Sequence, residues 1–454
     1  MTEQGFTRRQ MVRSLVGGSA VFPAIVQQLL ADSGDALAPK APHFPGKAKR
    51  VIFMYMSGGA SHVDTFDYKP KLAEAGKKGE KAPNGRAFLP AQWEFKPRGK
   101  SGLYVSELFP RVGECADELC VIRSMKGDHM DHFQATLGIH TGSVSLPRPS
   151  IGSWVSYGLG TENRNLPSFI VLAPKLPYAG GQVWSSDFLP AIHTGTLVEP
   201  GSEPVLNLRR RTPSDDVQRL ELSLLERFNR KHLQQRTGDS DLAARLKSFE
   251  TAFGMQTATP EALDLSKETD ATHKLYGLER GSTQGFAWQC LVARRLIERG
   301  VRFVELIDTG SFGPANWDAH ENIKSHEPLA KNVDQAAAGL IKDLRSRSLL
   351  DETLVVWTTE FGRSPYTEGT IGRGHYNRAF SSWLAGGGVK GGVAYGQTDD
   401  YGTEVAEDLC HVHDFHATIL HLLGFDHTRL TFRHGGRDFR LTDVAGNVVR
   451  KILA

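Results

Sequence analysis

A chain of 454 residues with 40% hydrophobic and 23% charged residues has the balance of an ordinary globular protein, with enough length for one large α/β domain or two smaller ones. A net charge of +3 leaves no electrostatic footprint for nucleic acid, so that partner is not expected. The four cysteines, Cys115, Cys120, Cys290 and Cys410, have no C-x-x-C spacing; they indicate neither a zinc knuckle nor a disulfide framework and are expected as small buried hydrophobes.

At the N-terminus, Arg8 and Arg9 precede a modestly apolar segment, SLVGGSAVFPAIVQQLLA, which resembles a twin-arginine export signal. Gly17, Gly18 and Pro23 break that segment up, and a membrane span needs about 20 mainly apolar residues, so no stable span is expected in the mature chain. Residues 1–46 are assigned to signal and linker and 47–454 to a single domain. Export to the periplasm or beyond through the twin-arginine machinery is expected, a route that suits a chain acquiring metal before it leaves the cytoplasm.

From Lys47 onward strands alternate with helices. VIFMYM (51–56), VRFVELI (301–307) and TLVVWTT (353–359) are continuous apolar runs of strand length, as in strands buried on both faces. QGFAWQCLVARRLIERG precedes the second run and NVDQAAAGLIKDLRSRSLLDE the third, both with helical apolar spacing. The pattern predicts an α/β sandwich in three layers, a mainly parallel central sheet with helices on both faces. A charged helical excursion is expected near 213–280. AGGGVKGG (385–392) lacks the GK[ST] of a phosphate loop and is expected as a turn between strands, and the closing block as a hairpin around the AGN turn.

Ligands in such sheets gather at the carboxyl ends of strands, and those ends are rich in acids and imidazoles. His62, Asp64 and Asp67 follow the first strand; Asp308, Asp318 and His320 the second; Glu360, Arg363, Arg373 and His375 the third. Any one histidine would serve equally well as a hydrogen-bonded structural residue, and the convergence is what points to function. Carboxylate and imidazole together suit zinc, manganese or iron, whereas calcium and magnesium prefer oxygen shells. Gly58 and Gly59 would let backbone N–H groups approach an anion closely, with His62 or Asp64 beside it.

Several long blocks also carry a family resemblance: VIFMYMSGGASHVDTFD, CLVARRLIERGVRFVEL, WDAH, LLDETLVVWTTEFGRSP, GRGHYNRAFSSWLAGGGVKGG and the stretch from HVHDFHATILHLLGFD to DVAGNVV. Together they resemble the bacterial exported family catalogued as domain of unknown function 1501, similar to the sulfatase and alkaline phosphatase superfamily. The resemblance covers nearly the whole chain after Lys47. It implies that fold with a metal centre that hydrolyses or transfers phosphate or sulfate monoesters; export adds polysaccharide esters as a substrate class, and the mixed ligands favour one or two divalent ions, zinc or manganese in preference to calcium or magnesium. In TTEFGR, Glu360 stands for the superfamily's aspartate while Phe361 departs from its histidine. Asp318 and His320 in WDAH and His375 in GRGHY resemble ligand positions, so the expected metal set is His62, Asp64, Asp318, His320, Glu360 and His375.

The nucleophile stays open. The formylglycine pattern C-x-P-x-R is missing from the sequence, which argues against a formylglycine sulfatase. Activated water, with His132 as general base or ligand, competes with attack by Ser61, Thr65 or Thr136. Arg363 and Arg373 are candidate forks for a tetrahedral anion; His413, Asp414 and His416 stand second to these. A non-catalytic exported binding or scaffold protein with a degenerate site is the alternative.

Overall fold

The computed structural model describes residues 37–201, 203–205, 208, 214–235, 240–310, 313 and 316–454; most of the expected signal segment lies outside the described residues. Nine strands make the central sheet: β1 (Arg50–Tyr55), β2 (Leu119–Lys126), β3 (Phe169–Leu172), β4 (Thr196–Val198), β5 (Phe303–Ile307), β6 (Thr353–Thr358), β7 (Phe380–Ala385), β8 (Val393–Tyr395) and β9 (Cys410–His411). Their order is β8-β2-β7-β6-β1-β5-β3-β4, with β9 also on β2. The three apolar runs expected as buried strands are the neighbours β6, β1 and β5, paired in parallel with Phe53 between Val356 and Glu305. Among the described strands of this sheet only β7 runs antiparallel, against β2 and β6.

Alternation explains why these strands are apolar throughout. Ile52 and Met54 of β1, with Val304, Leu306, Val355 and Trp357, face a core closed by α4 (Gly285–Glu298) and α5 (His326–Ser346). Val51, Phe53 and Tyr55 face the opposite way, with Phe303, Ile307, Leu354 and Val356, toward α3 (Ile151–Leu159) and α6 (Val412–Leu422). Helices therefore cover both faces, the three-layer sandwich expected from sequence. All four cysteines are free and buried. No helix of the described residues is long and apolar enough to cross a membrane.

Two expectations are corrected. Leu37 is buried, its carbonyl accepts from the Thr161 amide, and the Lys40 amide donates to Leu159, so residues 37–46 belong to the fold rather than to a linker. The closing hairpin pairs Phe432–His434 with Arg437–Phe439 around Gly435 and Gly436, not around Ala445–Asn447, because those two glycines adopt the positive φ a tight turn needs. Helices Asp215–Gln235 and Ser240–Leu263 fill the expected excursion, and AGGGVKGG does join two strands, β7 and β8.

Three buried histidines make the fold acid-sensitive. Burial pushes His193, His326 and His416 down to about 3, whereas an unfolded histidine titrates near 6.5. Between those values the unfolded chain binds more protons, so stability is present above about pH 6.5 and is lost as pH falls below it, by about 1.4 kcal/mol per histidine per pH unit. In chelator, the melting temperature should drop from pH 7 to 5, and His326→Gln with His416→Gln should flatten the slope; an unchanged melting temperature over that range would contradict this.

Candidate metal centre

Four strand ends and one hairpin build the site. β6 runs out into Thr359 and Glu360, β1 into Ser57, Gly58 and Gly59, and β5 into the loop bearing Asp318 and His320. β2 leads into α2 (His132–Thr141), whose first residue is His132 and whose N-cap is Asp131, accepting from the Phe133 amide. The hairpin Gly362–Glu368/Gly372–Tyr376 adds Arg363, Glu368 and His375.

Glu360 is buried and both oxygens of its carboxylate are engaged. Oε1 accepts from the Gly58 amide (2.8 Å) and from His132 Nδ1 (2.8 Å); Oε2 accepts from the Tyr55 hydroxyl (2.9 Å) and shares the Thr359 hydroxyl proton (3.0 Å) with the Met56 carbonyl (2.8 Å). Position 58 must be glycine: φ is +112°, and a Cβ would stand 2.5 Å from the Trp317 amide nitrogen. The glycine pair thus does bring backbone to an anion, but the anion is the protein's own carboxylate. Glu360 is corrected from metal ligand to the group that orients His132.

Three imidazoles are fixed in the same way. His132 Nδ1 is held by Glu360, His320 Nδ1 by Glu368 Oε1 (2.5 Å) and His375 Nδ1 by the Met130 carbonyl (2.7 Å). Each partner accepts, so each Nδ1 carries a proton and Nε2 is the nitrogen left to bind a metal, giving up any proton of its own. All three Nε2 atoms face Asp318: His132 at 3.3 Å from Oδ2, His320 at 3.0 Å and His375 at 3.5 Å from Oδ1; His320 and His375 stand Nε2 to Nε2 at 2.8 Å. Facing lone pairs repel unless a proton or a cation lies between them. His132 Nε2 is moreover buried without a hydrogen-bond partner. Donor atoms around a tetrahedral zinc ion with bonds of about 2.0–2.1 Å stand about 3.3–3.4 Å apart, and the observed separations bracket that spacing. The donor set therefore fits a divalent transition metal, with His132, Asp318 and His375 offering ligand atoms within 4.8 Å of one another and His320, its side chain 37% exposed, at the solvent edge.

Electrostatics agree with this arrangement. Burial opposes the Asp318 charge, but the His132 and His375 imidazoles and the Arg363 guanidinium around it outweigh that and hold the carboxyl well below the usual range. Burial likewise opposes a charged His132, yet the Asp318 and Glu360 carboxylates beside it raise it to about 9. Proton and metal compete for the same nitrogen, so metal binding at neutral pH would release a proton. The Tyr178 ring lies parallel to His132 at 4.2 Å and Phe361 flanks His132 and His375, which shields the inner side of the cluster from water.

The other expected site residues are engaged elsewhere. Asp64 pairs with Arg373 (2.7 Å), accepts from the Ser61 hydroxyl (2.5 Å) and from the Gln92 amide (3.0 Å), all in a buried brace, so it is not free to bind metal. Arg373 also donates to the carbonyls of Ser364, Leu89 and Pro90, and being fully buried it is no anion fork. Arg363 grips the Gly58 and Gly59 carbonyls, the Arg373 carbonyl and Asp318 Oδ1 (2.6 Å), so it positions a ligand instead of a substrate. His62 is buried against the Gly402 carbonyl, its Nδ1 beside Gly362, apart from the imidazole cluster. As for nucleophiles, Ser61 gives its proton to Asp64, the Thr65 hydroxyl donates to the Ser61 carbonyl within α1 (His62–Thr65), and Thr136 is bonded to Tyr55. Asp308 is tied to Trp317 and Asn316. Sequence reasoning missed Tyr178 and Glu368, neither of which sits in a spacing that singles it out.

Among solved structures, the chain is similar to Ps i-CgsB (11% identity, 84% of this chain and 73% of that one, TM-score 0.39). It is also similar to the lipoteichoic acid synthase LtaP from Listeria monocytogenes (9%, 88% and 78%, 0.37) and to an alkaline phosphatase superfamily protein from Vibrio parahaemolyticus (10%, 86% and 70%, 0.37). At such identities and TM-scores these likenesses add nothing to the reading of the site. No curated protein matches the chain. The family model described as protein of unknown function, DUF1501, matches residues 48–453, and the chain belongs to that family.

Proposed function

We propose that the chain is an exported metal-dependent hydrolase of phosphate or sulfate monoesters, polysaccharide esters being the class that export would bring it to. The observation that carries the reading is the convergence of three oriented Nε2 atoms on one carboxylate at the carboxyl edge of the sheet. His132, Asp318 and His375 would hold the ion, with His320 beside it. When bound, such an ion polarises an ester oxygen and lowers the pKa of water toward neutrality. Glu360 and Glu368 keep the protons of His132 and His320 on Nδ1, and Arg363 keeps Asp318 in place. His320, at the solvent edge, is the group placed to take up or return a proton at Nε2. With Ser61, Thr65 and Thr136 engaged, water is the nucleophile this reading requires.

A second reading has its own observation. Four protein donors can close a tetrahedral shell, as structural zinc sites do, and Phe361 offers no lone pair where a further ligand would stand; a non-catalytic exported binding protein would look the same. Metal content by mass spectrometry, together with aryl phosphate and aryl sulfate hydrolysis with and without chelator, separates the two. For the hydrolase, His375→Ala should remove both metal and turnover, and Glu360→Gln should lower metal affinity or activity about 10–100-fold. Metal held tightly with neither ester cleaved would overturn the hydrolase and favour the second reading. Arg373→Ala should behave differently, destabilising by about 3–5 kcal/mol in denaturant melts because Asp64 is left buried and unpaired; unchanged stability with a raised KM would restore Arg373 as a substrate fork. Export rests on Arg8 and Arg9. Replacing both with lysine should retain the chain in the cytoplasm on cell fractionation, and undiminished export would refute a twin-arginine route.

A further inference from the structure

Apart from the histidine centre, a second group of ligating side chains lies at the start of α6. β9 runs parallel to β2 with His411 opposite Lys126, which sets His411 beside Asp128 in the turn that follows β2. His411 is the N-cap of α6: its Nδ1 accepts from the His413 amide (3.3 Å), and Asp414 Oδ2 accepts from the His411 amide (3.0 Å) in a capping box. Ser, Thr, Asp and Asn are the side chains that cap best. A histidine in that place caps with one nitrogen and presents the other outward, here Nε2 at 3.0 Å from Asp128 Oδ1.

His413 completes the group. Its ring stacks on that of His411 at 5.2 Å, and its Nδ1 is buried with no hydrogen-bond partner, a state a polar atom rarely keeps without a reason. Asp128, His411 and His413 each offer one ligand atom, and the three atoms lie within 4.8 Å of one another. Asp128 and His413 also line a small cavity of about 10 Å³, about the room one water ligand needs.

We propose that Asp128, His411 and His413 form a second metal site, separate from the histidine centre, that takes a divalent transition ion of the zinc type. Two imidazoles and one carboxylate are the donors such ions prefer over calcium or magnesium, and three protein ligands leave a coordination position open to the cavity. For the ion to sit between His411 Nε2 and Asp128, the proton on that nitrogen moves to His411 Nδ1, which gives up its 3.3 Å hydrogen bond from the His413 amide. The site shares no ligand with the first, although Glu360, which orients His132, forms part of the same cavity wall.

The test is zinc stoichiometry on the untagged mature chain, stripped with chelator and equilibrated by dialysis at micromolar free zinc. Two ions per chain are expected for the unaltered protein. His411→Asn with His413→Gln should bind one, the asparagine preserving the N-cap so that the helix still starts there, as circular dichroism would verify. Asp128→Asn, at an exposed position, should raise the zinc concentration needed for the second equivalent about tenfold or more. The site is refuted if the His411→Asn/His413→Gln chain binds as many ions as the unaltered one, or if the unaltered chain binds a single ion that His375→Ala abolishes. Should His411→Asn/His413→Gln remove one ion while His375→Ala removes none, this site stands and the hydrolase centre falls.

Discussion

The candidate centre depends on one buried carboxylate. Glu360 sits at the end of β6 with no solvent around it, and an ionised group there is stable only if its charge is met by hydrogen bonds. Burial works against its ionisation, but the hydrogen bond and positive charge of His132, with the donors around it, hold it below the usual carboxylate range. Those donors come from four places: the Gly58 amide after β1, the Tyr55 ring within β1, Thr359 next to it and His132 at the head of α2. Satisfying this one group therefore fixes the relative position of two neighbouring strand ends and a helix that starts beyond a third strand. The glycine at 58, the aromatic at 55 and the helix start at 132 are consequences of the same requirement.

Orientation then spreads outward by the same rule. An imidazole held through one nitrogen can offer only the other to a metal, so Glu360, Glu368 and the Met130 carbonyl together decide that three Nε2 atoms look inward. Asp318 is the acceptor they share, and Arg363 holds its other side while binding the loop carbonyls at Gly58 and Gly59. Acid and cation alternate from the sheet edge to the surface, as far as the facing Nε2 atoms of His320 and His375.

Much of this was legible in the sequence. Buried strands announce themselves as unbroken apolar runs, and all three such runs became adjacent parallel strands; the strand-end rule then placed Asp318, His320, Glu360 and His375 at one edge. What periodicity does not carry is the distinction between a ligand and the group behind it. Glu360 and Asp318 are both acids after strands, yet one has its oxygens filled by four donors and the other faces open nitrogens. Likewise Asp64 and Arg373 stand 309 positions apart, so nothing local reveals that each neutralises the other in a dry interior. The Gly435–Gly436 turn was missed for a simpler reason, since two glycine-bearing candidates lay within one short block and only backbone pairing separates them.

The loss of both arginines as anion forks bears on what the centre can hold. A guanidinium has five N–H donors; those of Arg363 are directed to three carbonyls and a carboxylate, and those of Arg373 to a carboxylate and three carbonyls. Turning either toward an incoming anion would leave buried acceptors unpaired, at about 1–3 kcal/mol for each one. The negative charge of a phosphate or sulfate ester would thus have to be met by the bound ion itself and by N–H groups at the solvent side, where His320 is the most exposed member of the cluster. A centre arranged in this way places its positive charge at one point and surrounds it with fixed acceptors, so affinity for an anion would rise and fall with the occupancy of that point by metal.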